Sequence, residues 1–124
     1  MIQEEKSLLL KDLCARLPYN ICVYNACDKE QTYIAKYDSR ERFELCDGTI
    51  TSYVNVIPYL RPMSSMTEEE LKTFRQLQVE ADESGTFEGD MLLYDWLNKN
   101  HFDYRLLIFQ GLALEAPEGM YKTE

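Results

Sequence analysis

The chain predicts an α+β fold: an N-terminal helix, a four-stranded antiparallel β-meander, then two or three C-terminal helices. Three observations carry this expectation. Apolar residues among the first 17 positions recur at helical spacing. Residues 20–57 hold short β-branched and aromatic runs separated by turn residues, Asp47-Gly48 among them. From residue 58 onward that pattern gives way to helical spacing with capping residues.

In the first segment Ile2, Leu8, Leu9, Leu10, Leu13 and Leu17 cluster on one side, with Glu4, Glu5, Lys11, Asp12 and Arg16 mainly elsewhere. Pro18 stops the helix, because proline disfavours helical geometry in the residue before it. Residues 20–25 (NICVYN) and 31–37 (QTYIAKY) read as strands. Residues 42–46 (RFELC) alternate, with Phe43 and Leu45 on one face and Arg42 and Glu44 on the other. Asp47-Gly48 suits a tight primed turn, and residues 49–57 read as the return strand. A two-residue turn would set Cys46 opposite Thr49, Leu45 opposite Ile50 and Phe43 opposite Ser52. Pairing of sequence neighbours gives the meander, with the leading helix on its apolar face.

Pro58 and Pro62 argue against a central strand or helix interior around them, so residues 58–66 read as an ordered connector with Tyr59 and Leu60 turned inward. Thr67 and Glu70 stand at the spacing of a capping box, flanked by a Met66–Leu71 hydrophobic staple. Glu68, Glu69 and Glu70 oppose the positive end of the helix dipole. That helix runs to about residue 80, with Leu71, Phe74 and Leu77 along one side. Residues 82–89 read as a loop with two glycines, and residues 90–98 as a second helix. Asp103 and Gly111 suit the two caps of a short third helix over 104–110. Residues 1–124 thus read as a single domain: helix and meander over 1–57, connector over 58–66, helical part over 67–124.

A chain of 124 residues can bury a core without disulfide staples. Its formal charge is −9, with −2 on residues 1–57 and −7 on residues 58–124. That balance argues against direct binding to nucleic acid, which needs a basic face. No apolar run approaches the roughly 18 residues of a membrane span. The opening MIQEEKSLLLKDLCARL lacks the pattern of a secretory signal, so a cytoplasmic location is expected. Cys14, Cys22, Cys27 and Cys46 form no C-x-x-C pair and read as reduced, small apolar residues. A zinc site drawing Cys22, Cys27 and Cys46 to His101 lacks the usual ligand spacings, so neither metal nor cofactor is expected.

The sequence holds no Walker-type phosphate loop, no dinucleotide-binding glycine pattern and no nucleophile elbow. His101 is the single histidine, so any acid–base or nucleophilic site built on imidazole must use it. Three short helices invite a helix-turn-helix reading, but YRLLIFQ carries one base and is mostly apolar. The better candidate is a protein-binding surface. Tyr94, Trp96, Phe102 and Tyr104 lie close together, and such residues are favoured at interface hot spots. His101 and Arg61 join them as candidates, Arg61 because it stands mid-connector where it can meet an acid or an anion.

PYLRPMSSMTEEE and DWLNKNHFDYRLLIFQGLALEAPEGMY, about a third of the chain, resemble a family of small uncharacterised proteins of gut anaerobic bacteria, often in prophage or mobile-element settings. The resemblance implies an accessory protein and carries no catalytic residue or cofactor. Where that family more often has a glycine and a charged residue, this chain has Leu106 and Phe109. The expected function is non-enzymatic binding of an unknown protein partner, by a monomer or weak homo-oligomer with no membrane attachment. Two alternatives stand beside it: an acidic DNA-mimic-type decoy of a nucleic-acid-binding protein, and a small enzyme using His101.

Overall fold

The computed structural model describes residues 2–121. Helix α1 spans Gln3–Ala15, and the Glu5 carboxylate caps it by accepting from the Ile2 N–H at 3.0 Å. Leu9 and Leu13 from α1 are buried against the sheet, as the apolar spacing predicts. Pro18 falls in a 3-10 turn at Leu17–Tyr19, and Asn20 then reverses the chain in the left-handed region at φ 58°.

The strands are β1 (Cys22–Asn25), β2 (Glu30–Tyr37), β3 (Arg42–Leu45), β4 (Ile50–Ser52), β5 (Val56–Leu60) and β6 (Leu114–Glu115). They form one sheet in the order β4-β3-β2-β1-β5-β6. The first four neighbouring pairs are antiparallel, and β6 runs parallel to β5. The sheet is therefore mixed and six-stranded, not a four-stranded antiparallel meander.

The parallel strand is β6, and the extra antiparallel one comes from the stretch expected to be one return strand. Thr51 and Tyr53 are buried at odd positions, whereas Val56, Pro58 and Leu60 are buried at even ones. A single strand cannot change phase in this way, because its side chains alternate with a strict period of two. A 3-10 turn at Tyr53–Asn55 absorbs the slip, and β5 continues on the free edge of β1.

Pro58, expected to exclude a central strand, sits inside β5 opposite Val23. Ala26 N–H donates to the Asn55 carbonyl at 2.9 Å, which makes that pair hydrogen-bonded. Alternation from there places Val23 and Pro58 at a non-bonded pair, where β1 asks for no N–H from residue 58. On the other side β6 pairs only from Tyr59 onward.

The β3–β4 hairpin is also shifted by one residue. Phe43 faces Thr51 and Glu44 faces Ile50. Leu45 N–H donates to the Thr49 carbonyl at 2.8 Å, so three residues, 46–48, make the loop. Gly48 takes φ 91° and the Asp47 carboxylate accepts from the Thr49 N–H at 2.9 Å, a geometry that a three-residue hairpin loop with a left-handed glycine supplies.

Helix α2 spans Glu68–Ser84 and α3 spans Phe87–Lys99. Both outrun their expected limits and meet across Gly85-Thr86. Gly85 ends α2 at φ 59°, and the Thr86 hydroxyl caps α3 by accepting from the Gly89 N–H at 3.3 Å. Gly89 lies within α3, where a Cβ would come within 2.5 Å of Ser84 Oγ and 3.1 Å of Ala81 Cα. Its missing side chain is what lets the two helices close so near their shared turn.

The third helix expected over 104–110 is absent: that segment is a series of turns. Asp103, the expected N-cap, accepts from Leu107 N–H at 2.8 Å and Ile108 N–H at 3.0 Å. Leu106 takes φ 60°, which breaks a right-handed helix outright. The turns place Leu107 and Leu112 in the sheet core beside Leu9 and Leu13.

Candidate functional site

After α3 the chain turns at His101, which takes φ 58°, and Phe102 lines up alongside Arg61. Arg61 N–H donates to the His101 carbonyl and Asp103 N–H to the Arg61 carbonyl, both at 2.8 Å. These bonds join the C-terminal end of the helical hairpin to the end of β5. They also fix an aromatic stack. The Phe102 ring is fully buried, with the Arg61 guanidinium over it at 4.2 Å, Trp96 stacked at 5.6 Å and Phe74 beyond Trp96 at 6.3 Å.

The Glu70 carboxylate holds the open side of this stack. It takes both ends of the Arg61 guanidinium, at 2.7 and 2.8 Å. It also accepts from the Thr67 N–H at 3.0 Å, while Thr67 Oγ1 accepts from the Glu70 N–H at 3.1 Å. The capping box read from sequence is therefore present, with Arg61 added to it. Hydrogen bonding to Arg61 is the main reason the Glu70 carboxyl lies below its ordinary range, followed by opposing desolvation and the Thr67 bond.

A second cluster lies beneath. Asp12 and Arg16, one helical turn apart on α1, are both fully buried. Asp12 takes Arg16 Nε at 2.9 Å and Arg105 at 2.8 Å, and Arg16 donates to the Phe102 carbonyl at 2.7 Å. Their i,i+4 spacing was visible, but sequence reading placed them away from the apolar side. Arg105 lies over the Tyr104 ring at 4.8 Å, Tyr104 packs on Tyr94 at 5.3 Å, and the Tyr104 hydroxyl donates to Asn98 at 2.8 Å.

His101 faces elsewhere. Its ring lies 4.1 Å from that of Tyr121 and is 3 % exposed, and Nδ1 is buried without a hydrogen-bond partner. Burial first, then the Arg16 charge, lowers its pKa to about 4, so it is neutral at pH 7. The imidazole borders a pocket of about 240 Å³ with Tyr19, Tyr33, Lys99 and Tyr121, and among the described residues it makes no hydrogen bond to a carboxylate or thiol that would set it up as a general base. Among the described residues no three His, Cys, Asp or Glu side chains converge as metal ligands, so Cys22, Cys27 and Cys46 do not gather at His101.

The six candidate residues thus divide. Arg61, Trp96 and Phe102 share one stack, and Tyr104 joins Tyr94 beside the buried ion cluster. Phe102 and His101 are interior, Arg61, Trp96 and Tyr104 are half-buried, and Tyr94 is exposed. The exposed apolar surface lies mostly on residues sequence reading did not select. Phe87, Met91 and Tyr94, spaced i, i+4, i+7, form an outward stripe on α3. Val79 is exposed on α2, and Leu106 and Phe109 stand out from the turns, Phe109 at 89 % exposure. Helical spacing alone cannot separate such a stripe from a core face.

Between α2 and α3 runs a groove of about 580 Å³, lined by Arg75, Gln78, Val79, Ala81, Asp82, Asp90, Leu93 and Tyr94. The hairpin carries nine acids against three bases over residues 68–99, or −6 of the chain's −9. Glu70 is its one acid in a salt bridge among the described residues. No helix among the described residues is long and apolar enough to cross a membrane. No protein-family model, curated protein or solved structure matches this chain.

Proposed function

We propose that this protein is a non-enzymatic binding module whose helical hairpin, α2 and α3, contacts another protein. The observation that carries the reading is the bareness of that hairpin. Across its two helices Ala81, Leu97 and Asn98 are the buried residues, while Phe87, Met91, Leu92 and Tyr94 stand in solvent. Clustered exposed apolar side chains of this kind mark interaction surfaces. The resemblance to proteins of prophage and mobile elements agrees with an accessory role, acting in the cytoplasm on a phage or host factor.

The test is capture from native host lysate by tagged protein, with and without nuclease, beside a Met91→Asp variant whose helical circular dichroism matches the parent. A partner held by the parent under both conditions and lost by the variant supports the reading. A partner held equally by both proteins overturns this choice of surface.

The −6 on the hairpin favours a second reading, an acidic decoy that occupies a DNA-binding site. It predicts a partner that nuclease treatment releases to the bait and that added duplex DNA displaces.

A further inference from the structure

Resting on that protein-binding reading, we infer the class of partner: a basic amphipathic helix that lies in the α2–α3 groove as a third helix. Two helices packed side by side leave a furrow between them, here over residues 75–82 of α2 and 90–94 of α3, and a third helix is a natural shape to fill it. Both helices give the groove apolar side chains, Val79 and Ala81 from α2 and Leu93 and Tyr94 from α3, among the polar Arg75, Gln78, Asp82 and Asp90. The outward stripe of Phe87 and Met91 continues that surface from Tyr94 along α3. An occupant therefore needs its own apolar stripe at helical spacing.

Charge selects among apolar helices. Asp82 from α2 and Asp90 from α3 line the groove against one base, Arg75, and neither carboxylate has a salt-bridge partner among the described residues. The surrounding hairpin carries −6. A second copy of this chain would set −6 against −6 across the contact, which repels. An acidic helix can pair with Arg75 but meets two repelling carboxylates, and a neutral helix makes no ion pair with the rim. A helix with lysine or arginine beside its apolar stripe meets both carboxylates and is steered to the groove before contact.

The test titrates the whole protein calorimetrically with a synthetic amphipathic helix of leucine and lysine, leucine placed at i, i+3, i+4, i+7. A leucine–glutamate peptide of the same length and spacing is the control. Amide shifts in NMR locate the site. The expected result is binding of the lysine peptide alone, with shifts on Val79, Asp82, Asp90 and Tyr94. The double variant Asp82→Lys, Asp90→Asn, its fold verified by circular dichroism, should bind the peptide about tenfold more weakly or worse. No binding of the lysine peptide up to about 1 mM, a weak limit of specific affinity, overturns the inference. Equal binding of both peptides, shifts mapping outside the groove, or an unaffected double variant also overturns it. The lysate partner separates the two levels of argument. If Met91→Asp loses it but the double variant keeps it, the binding module stands and the basic helix falls.

Discussion

Glu70 does two jobs with one carboxylate, and only one of them was legible in the sequence. Thr67 and Glu70 are three apart, so their reciprocal bonds are local and readable. The Arg61 bond depends on where β5 ends and α2 begins, which no spacing rule states. Thr67→Ala should cost about 0.5–2 kcal/mol in a denaturant melt, the usual loss for an N-cap. Asp12 and Arg16 illustrate the same limit. Their pairing followed from position, but their burial is set by the Phe102 carbonyl and Arg105, near the other end of the chain. Asp12→Ala leaves Arg16 charged inside the core and should cost about 3–5 kcal/mol. His101 makes a pH prediction. Its folded pKa lies below the unfolded value, so the unfolded chain binds a proton first as pH falls. Stability should therefore decline from about pH 6.5 down to about pH 4, by up to about 3 kcal/mol for the shift stated above. His101→Asn, which tolerates the left-handed backbone, should flatten that slope in melts taken across the window. A slope unchanged by the substitution would assign it to carboxylates instead.

At the scale of elements, local signals were read well and interruptions were not. Helix α2 began where its cap, Thr67, said. The return strand split because its buried positions change phase at Tyr53, and the apolar letters around it fit either phase. The 104–110 segment looked helical by composition, but the Asp103 carboxylate diverts two backbone N–H groups into a turn. Leu106 completes that turn in a conformation costing a leucine about 1–2 kcal/mol. Leu106→Gly should relieve the strain at an exposed position and leave thermal stability equal or slightly higher. A clear loss would mean the leucine side chain packs more than its exposure suggests. Gly89 makes the opposite case. Alanine gains about 1 kcal/mol of helix propensity over glycine, but its Cβ would collide with Ser84 and press on the Ala81 backbone. Overpacking of about 1–3 kcal/mol should win, so Gly89→Ala lowers the melting temperature. Adding Ser84→Ala should recover part of the loss.

Across the whole molecule, two kinds of surface are kept apart. The core joins α1, the sheet and the 107–113 segment, whereas the hairpin is fastened at one end by the Arg61–Phe102 stack and carries most of the net charge. The sequence showed the charge imbalance between its halves, but not that two of the acids, Asp82 and Asp90, line an open groove. Nor did composition reveal how the chain closes. Strand β6 returns beside β5, and Tyr121 then packs between strands met at the start. Its hydroxyl accepts from the Cys22 N–H at 3.0 Å and donates to the Tyr59 carbonyl at 2.8 Å. Cys22 and Tyr121 are 99 residues apart. A growing chain can form its helices and hairpins as they emerge from the ribosome, but the latch at the centre of the sheet waits for a residue made 99 positions after its partner. Closing so long a loop is slow, and until it happens the outer edge of β5 stays open to other chains. The protein is thus most exposed to misassembly in the interval between the making of β5 and the arrival of Tyr121.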